Sequence, residues 1–170
     1  MKKILVLFIL IFGITFSNAQ ISKVEIIATG LTCSMCSNAI NKQLKKLPEV
    51  EKVETDLNSN TFIVYLKKDN SITPKTIREN IEKAGFFVGS MIITINFDDQ
   101  KVTDNLQITN GNLDLFFIDS DSKILNGLTK LKVLNKGFVT SKEYKKLVKL
   151  YSKYTNYSSE NQTNFFVKTL

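Results

Sequence analysis

KVEIIATGLTCSMC, residues 23–36, is the stretch on which the fold turns. Its opening, Lys23-Val24-Glu25-Ile26-Ile27-Ala28-Thr29, alternates so that Val24, Ile26 and Ala28 share one face of a strand. Gly30 to Cys33 then makes a loop, and a helix starts near Ser34. Ile40, Leu44 and Leu47 recur at helical spacing while Lys42, Lys45 and Lys46 are left to water, and Pro48 stops the run. Residues 50–55 and 61–66 read as a hairpin across the polar turn Asn58-Ser59-Asn60, with Phe62, Val64 and Leu66 alternating against Ile63 and Tyr65. Thr73-Pro74 opens a second helix as cap and first turn; Ile77, Ile81 and Ala84 give its buried face, and Gly85 ends it. Phe86-Phe87-Val88 begins another strand. The order strand, helix, strand, strand, helix, strand is the ferredoxin-like βαββαβ arrangement. In that topology the loop after the first strand sits at a rim of the sheet, so its cysteines are expected at an exposed edge.

The chain has two cysteines, Cys33 and Cys36, and no histidine. Without histidine the usual general base is missing, together with the triads built on it, so no enzyme is expected. A closed structural zinc site needs four ligands, normally cysteine or histidine, and one chain offers two thiolates. Soft thiolates favour Cu(I) over harder ions, and two ligands suit a low-coordinate ion. Cys36 falls in the first helical turn, where amides and the helix dipole favour negative charge. Met35, between the two, reads as a solvent-facing spacer.

The run Gly30-Leu31-Thr32-Cys33-Ser34-Met35-Cys36, set in this topology with Ala84-Gly85-Phe86 closing the second helix, resembles the heavy-metal-associated domain. Copper chaperones, metal-binding modules of copper-transporting ATPases and the periplasmic mercuric-ion-binding protein belong to that family. The likeness covers residues 22–90. It implies that Cys33 and Cys36 are the metal ligands and that the ion is handed on by ligand exchange to a metal transporter or a periplasmic metal acceptor. Leu31 stands where the family usually has a methionine packed beneath the loop, and leucine can pack there too. Thr32 precedes the first cysteine as in copper and mercury members, whereas zinc-pumping relatives carry aspartate; Cu(I) is therefore the expected ion, with Hg(II) and Zn(II) as alternatives. Phe86 takes the family's variable aromatic position and is expected to pack in the core.

A competing reading of the same C-x-x-C is a periplasmic thiol-disulfide oxidoreductase. Against it, no tryptophan precedes Cys33, and neither Pro48 nor Pro74 is placed to flank the motif.

Residues 1–19 begin with Lys2 and Lys3, continue through the apolar run from Ile4 to Phe12, and end at Ser17-Asn18-Ala19, the layout of a secretory signal cut after Ala19. The product is expected in the periplasm or outside the cell. Removing that leader takes two lysines and no acids, leaving 21 cations against 16 anions, a net charge of +5. No basic stripe is interleaved with aromatics, so nucleic acid is not expected as a partner, and membrane contact is expected only through a partner.

Residues 20–90 thus form the metal-binding domain, and residues 91–170 are expected to form a second, small β-rich α+β domain, with a barrel as one way to close its strands. Residues 91–97 either prolong the last strand of the first domain or start a new one. Asn110-Gly111 joins two strands as a hairpin. Residues 128–134 read as a strand, residues 142–154 as a helix with Tyr144, Leu147, Val148 and Tyr151 along one side and Lys142, Lys145, Lys146, Lys149 and Lys153 elsewhere, and residues 165–167 as a final strand. Asp119 and Asp121 mark a turn, since the loop lacks the later ligands of a calcium hand.

Overall fold

The computed structural model describes residues 20–31, 34–154, 157 and 164–170. Residues 1–19, the expected leader, lie outside the described residues, as do Thr32 and Cys33. Among the described residues no helix is long and apolar enough to cross a membrane.

The first half follows the expected order: β1 (Ile21–Thr29), α1 (Ser34–Leu44), β2 (Val50–Asp56), β3 (Thr61–Leu66), α2 (Pro74–Lys83) and β4 (Phe87–Val102). Val24, Ile26 and Ala28 are buried, and so are Ile40, Leu44, Ile77 and Ile81 from the two helices, in one apolar cluster. Thr73 caps α2 by accepting from the Thr76 amide at 3.2 Å, with Pro74 as the first helical residue. The strand order β2-β3-β1-β4 is the ferredoxin-like one.

β4 does not stop where that unit would end. It runs 16 residues, so the boundary expected after residue 90 falls inside it and the strand continues in the same sheet. Its far edge pairs antiparallel with β7 (Lys123–Val133), and the sheet goes on through β8 (Asn164–Thr169), β6 (Leu113–Phe117) and β5 (Leu106–Asn110). Eight strands thus form one sheet, with β2 and β5 at its edges. Among the described residues the sheet is open and closes into no barrel. β6 and β8 pair in parallel, because β8 returns from α3 (Ser141–Leu150) and slots between β7 and β6.

The second half nevertheless curls. Phe97 of β4 and Phe117 of β6 meet edge-on with ring centroids 6.4 Å apart, although two strands lie between them. In a flat sheet three strand spacings would separate them by about 14 Å. Asn112, in the β5–β6 turn, donates to the Ser71 carbonyl at 2.7 Å and ties that hairpin to the segment before α2. α3 packs on the opposite face, where Tyr144, Leu147 and Val148 meet Phe116, Phe166, Tyr151, Tyr154 and Tyr157. The helix expected over residues 142–154 ends at Leu150; Tyr151 leaves helical geometry and the Tyr154 amide bonds three residues back.

Candidate metal centre

The chain leaves β1 at Thr29 and turns through Gly30, whose φ of +87° is one that a side chain would strain. Phe86 lies beside that turn, its ring 3.9 Å from where a Cβ on Gly30 would stand. Leu31 packs partly against the core, the role expected of it. α1 then begins, and three consecutive residues swing from water to interior. Met35 is 80% exposed, Cys36 is half-buried, and Ser37 is buried. Cys36 therefore stands on the rim of the helix start, where the unpaired amides of a first turn favour an anion. No acidic residue occupies that turn. Cys33, the other expected ligand, falls outside the described residues, so the structure places one member of the pair and not both.

Neighbouring elements hold the rim. Asn41 on α1 donates to the Thr55 hydroxyl of β2 at 2.8 Å, fixing the helix over the sheet. The Ala28 amide donates to the Asn60 carbonyl at 3.2 Å, which brings the β2–β3 turn to the same end of the sheet as the Gly30 loop. In that turn the Ser59 hydroxyl and the Asn58 amide hold the Asp56 carboxyl below its ordinary range, so this acid is engaged by its own turn. The Phe86 amide donates to the Ile81 carbonyl, and the Thr29 hydroxyl to the Phe87 carbonyl at 3.3 Å, which docks the α2–β4 connection alongside.

The second half reaches this end too. Gly89 sits so close to β1 that a Cβ there would stand 2.5 Å from the Thr29 methyl and 3.4 Å from the Ile27 carbonyl oxygen, with the methyl of Thr140, the cap of α3, 3.8 Å away. Arg78 on α2 lies over the Phe138 ring at 5.0 Å.

Sequence reasoning missed one feature of the rim. Ile27, Met35, Leu57 and Phe87 are large apolar residues left exposed, and all four belong to the end of the sheet that carries the Gly30 loop. Thr61 faces Ile27 and Phe87 faces Thr29, which puts the turn holding Leu57 and the start of β4 beside the loop. Isolated exposed apolar residues are ordinary, so only the fold shows that these four share an end.

Asp119 and Asp121 belong to a turn, as expected. The Asp119 carboxylate accepts from the Lys168 ammonium and from the Tyr151 hydroxyl; the Lys168 bond, outweighing some burial, holds it below its ordinary range.

Residues 25–87 match the family model of the heavy-metal-associated domain. Among curated proteins, the probable copper-transporting ATPase HMA5 of Arabidopsis thaliana is 39% identical over 67 residues, 39% of this chain, and a copper-transporting ATPase of Saccharomyces cerevisiae is 44% identical over 57 residues, 34% of this chain. The chain spans 6% of the length of each. Among solved structures, the yeast copper transporter domain Ccc2a, described in apo and Cu(I)-loaded states, is 40% identical, with 38% of this chain and 88% of that one covered and a TM-score of 0.35. The copper-binding domain of HMA7, a P-type ATPase, is 34% identical, with 38% and 86% covered and a TM-score of 0.36. Residues 25–87 are thus a heavy-metal-associated domain, homologous to the metal-binding domains of copper-transporting ATPases.

Proposed function

We propose that this protein is an exported metal carrier, not an enzyme, that captures Cu(I) between the thiolates of Cys33 and Cys36 and delivers it to a metal transporter or periplasmic acceptor. The observation that carries the reading is Cys36 on the open rim of α1, inside a heavy-metal-associated domain and three residues after its partner cysteine. Both curated relatives are named as copper-transporting ATPases, which supports copper as the cargo.

Two thiolates hold a soft monovalent ion in a low-coordinate site and leave room for a third ligand to approach. Transfer then follows as exchange. An acceptor thiol gives up its proton and bonds to the ion as one of the two cysteines lets go and takes up a proton, and a second acceptor thiol displaces the other cysteine in the same way. The metal keeps its oxidation state throughout. The exposed apolar rim of Met35, Leu57 and Phe87 gives an acceptor a surface to touch while the ion changes hands.

The test is a titration of the reduced protein with Cu(I), in competition with Zn(II) and Hg(II), read by mass spectrometry. One Cu(I) per chain is expected, and Cys33→Ser or Cys36→Ser should abolish stoichiometric retention. Absence of a Cu(I) adduct, combined with rapid disulfide exchange with a peptide, would replace the carrier with the oxidoreductase. Export is tested separately: the mature protein should begin at Gln20 and fractionate outside the cytoplasm.

A further inference from the structure

The two helices α2 and α3 handle charge differently. On α2, Lys75 pairs with Glu79 and Arg78 with Glu82, each at 3.4 Å and one turn apart, so its outer face is balanced. On α3 the single acid, Glu143, is drawn aside to Lys132 of the sheet at 2.7 Å. Lys142, Lys145, Lys146 and Lys149 are all exposed, and their ammonium groups make no ion pair or hydrogen bond among the described residues. At 3.6 residues per turn these four fall within an arc of about 100°. Lys142 and Lys146, and Lys145 and Lys149, are like-charge neighbours at the spacing that opposes a helix. Lys153, just past the helix, bonds to Asp104 and is not counted with them. Leu150 borders the stripe and is 65% exposed.

The sequence by itself favours a solvated lysine face and membrane contact only through a partner. The fold adds that Tyr144, Leu147 and Val148 of α3 pack against the sheet, that the one acid of the helix is diverted, and that the remaining four cations line its exposed face with an apolar residue at the border. We propose that this face of α3 binds the surface of an anionic bilayer directly. Lysine ammonium groups are point charges without the fork that selects a single carboxylate, which suits a diffuse field of headgroups better than a particular acidic side chain. Leu150 is placed to enter the boundary between headgroups and acyl chains. The stripe lies outside the heavy-metal-associated domain, so the inference does not depend on the metal reading.

The experiment is co-sedimentation of the purified protein with vesicles of phosphatidylglycerol and phosphatidylcholine, against vesicles of phosphatidylcholine alone. Binding is expected only to the anionic vesicles and should weaken as salt is raised. Each lysine near such a surface is worth about fivefold in affinity, so K142Q/K145Q/K146Q/K149Q should lose more than a hundredfold while keeping its circular dichroism spectrum. The control K42Q/K45Q/K46Q removes three lysines from α1 and its following turn and should bind almost as the parent does. Failure to bind anionic vesicles at low salt overturns the proposal. So does an equal loss in the control, which would reduce the effect to net charge, or capture by polyglutamate in place of vesicles, which would identify an acidic protein as the partner.

Discussion

The two ends of the sheet bury the same face by different means. In the first half α1 and α2 lie over Val24, Ile26, Met91 and Ile93, and the opposite face carries polar pairs such as Lys52 with Glu54. In the second half no helix among the described residues covers that face. The sheet curls, Phe97 meets Phe117, and α3 is left to cover the other side through a cluster of tyrosines. The difference traces to β4, which is long enough to serve both arrangements. The first half is completed when β4 returns to pair with β1, and the second when β8 enters between β7 and β6. Cys36 sits in the helix-covered half, which the second half touches at Gly89 through Thr140 and at Arg78 through Phe138.

If the halves share one core, the residue to remove is Ile93. It is fully buried and faces Val24 of β1 on one side and Leu131 of β7 on the other. Ile93→Ala should cost about 2–5 kcal/mol through lost burial and the cavity left behind. Hydrogen exchange followed by mass spectrometry should show amides of β1 and of β7 and β8 losing protection together. Loss confined to residues 20–90 would mean that the halves are energetically separate despite the continuous strand.

The tyrosine cluster belongs to the second half alone and sharpens the contrast. Tyr157 donates to the buried Leu134 carbonyl at 2.7 Å. Burial first, and then the nearby Tyr144 and Tyr151, push its phenol well above its ordinary value. An unfolded phenol ionises near pH 10, so the stabilisation is complete below about pH 10 and is lost as the pH climbs from there toward the folded value. Tyr157→Phe should cost about 1 kcal/mol at neutral pH, and up to about 3 if the carbonyl finds no other donor. Its unfolding free energy should fall less steeply than the parent's between about pH 10 and 12. Burial also raises the Tyr151 phenol, so some alkaline dependence should persist. An unchanged slope would place the alkaline sensitivity elsewhere.

The same division governs what the sequence reveals. The Thr73-Pro74 cap, the polar β2–β3 turn and the i, i+4 spacing of Ile77 and Ile81 are short-range signals, and each element they announce is present. The Asn110-Gly111 hairpin is equally local and also forms. The early part of β7 escaped notice because Asn126-Gly127 looks like a break; Gly127 adopts φ +73° and faces Phe97 where the β4–β7 register shifts. That residues 91–97 would both prolong β4 and pair with β7 depends on partners 30 to 40 residues away, and no local period encodes it. α3 stops early because Tyr151, Tyr154 and Tyr157, three residues apart, turn inward to stack on one another and on Phe166. At the site, the helix start with Cys36 was legible from one strand, one glycine and one period. The apolar rim was not, because Leu57 sits in a polar turn and Phe87 follows a residue that does pack inward.

The smallest effect is expected where the halves touch through charge. Glu25 of β1 forms ion pairs with Lys23 at 2.8 Å and with Lys130 of β7 at 2.9 Å, reaching across β4. Burial pushes its carboxyl up, but the hydrogen bonds from Lys23 and Lys130 together outweigh this and hold it below its ordinary range. The group's contribution is therefore present above the unfolded carboxylate value, near pH 4.5, and is lost as the pH falls through the folded one. These lysines keep much of their exposure, so Glu25→Gln should cost only about 0.2–1 kcal/mol, less at high salt. A double-mutant cycle with Lys130→Met isolates the part that links the halves. A coupling that vanishes at low salt would show that backbone pairing and apolar contact alone unite the sheet, whereas a coupling near 1 kcal/mol would make this pair a third link beside the Ile93 core and the Arg78–Phe138 contact.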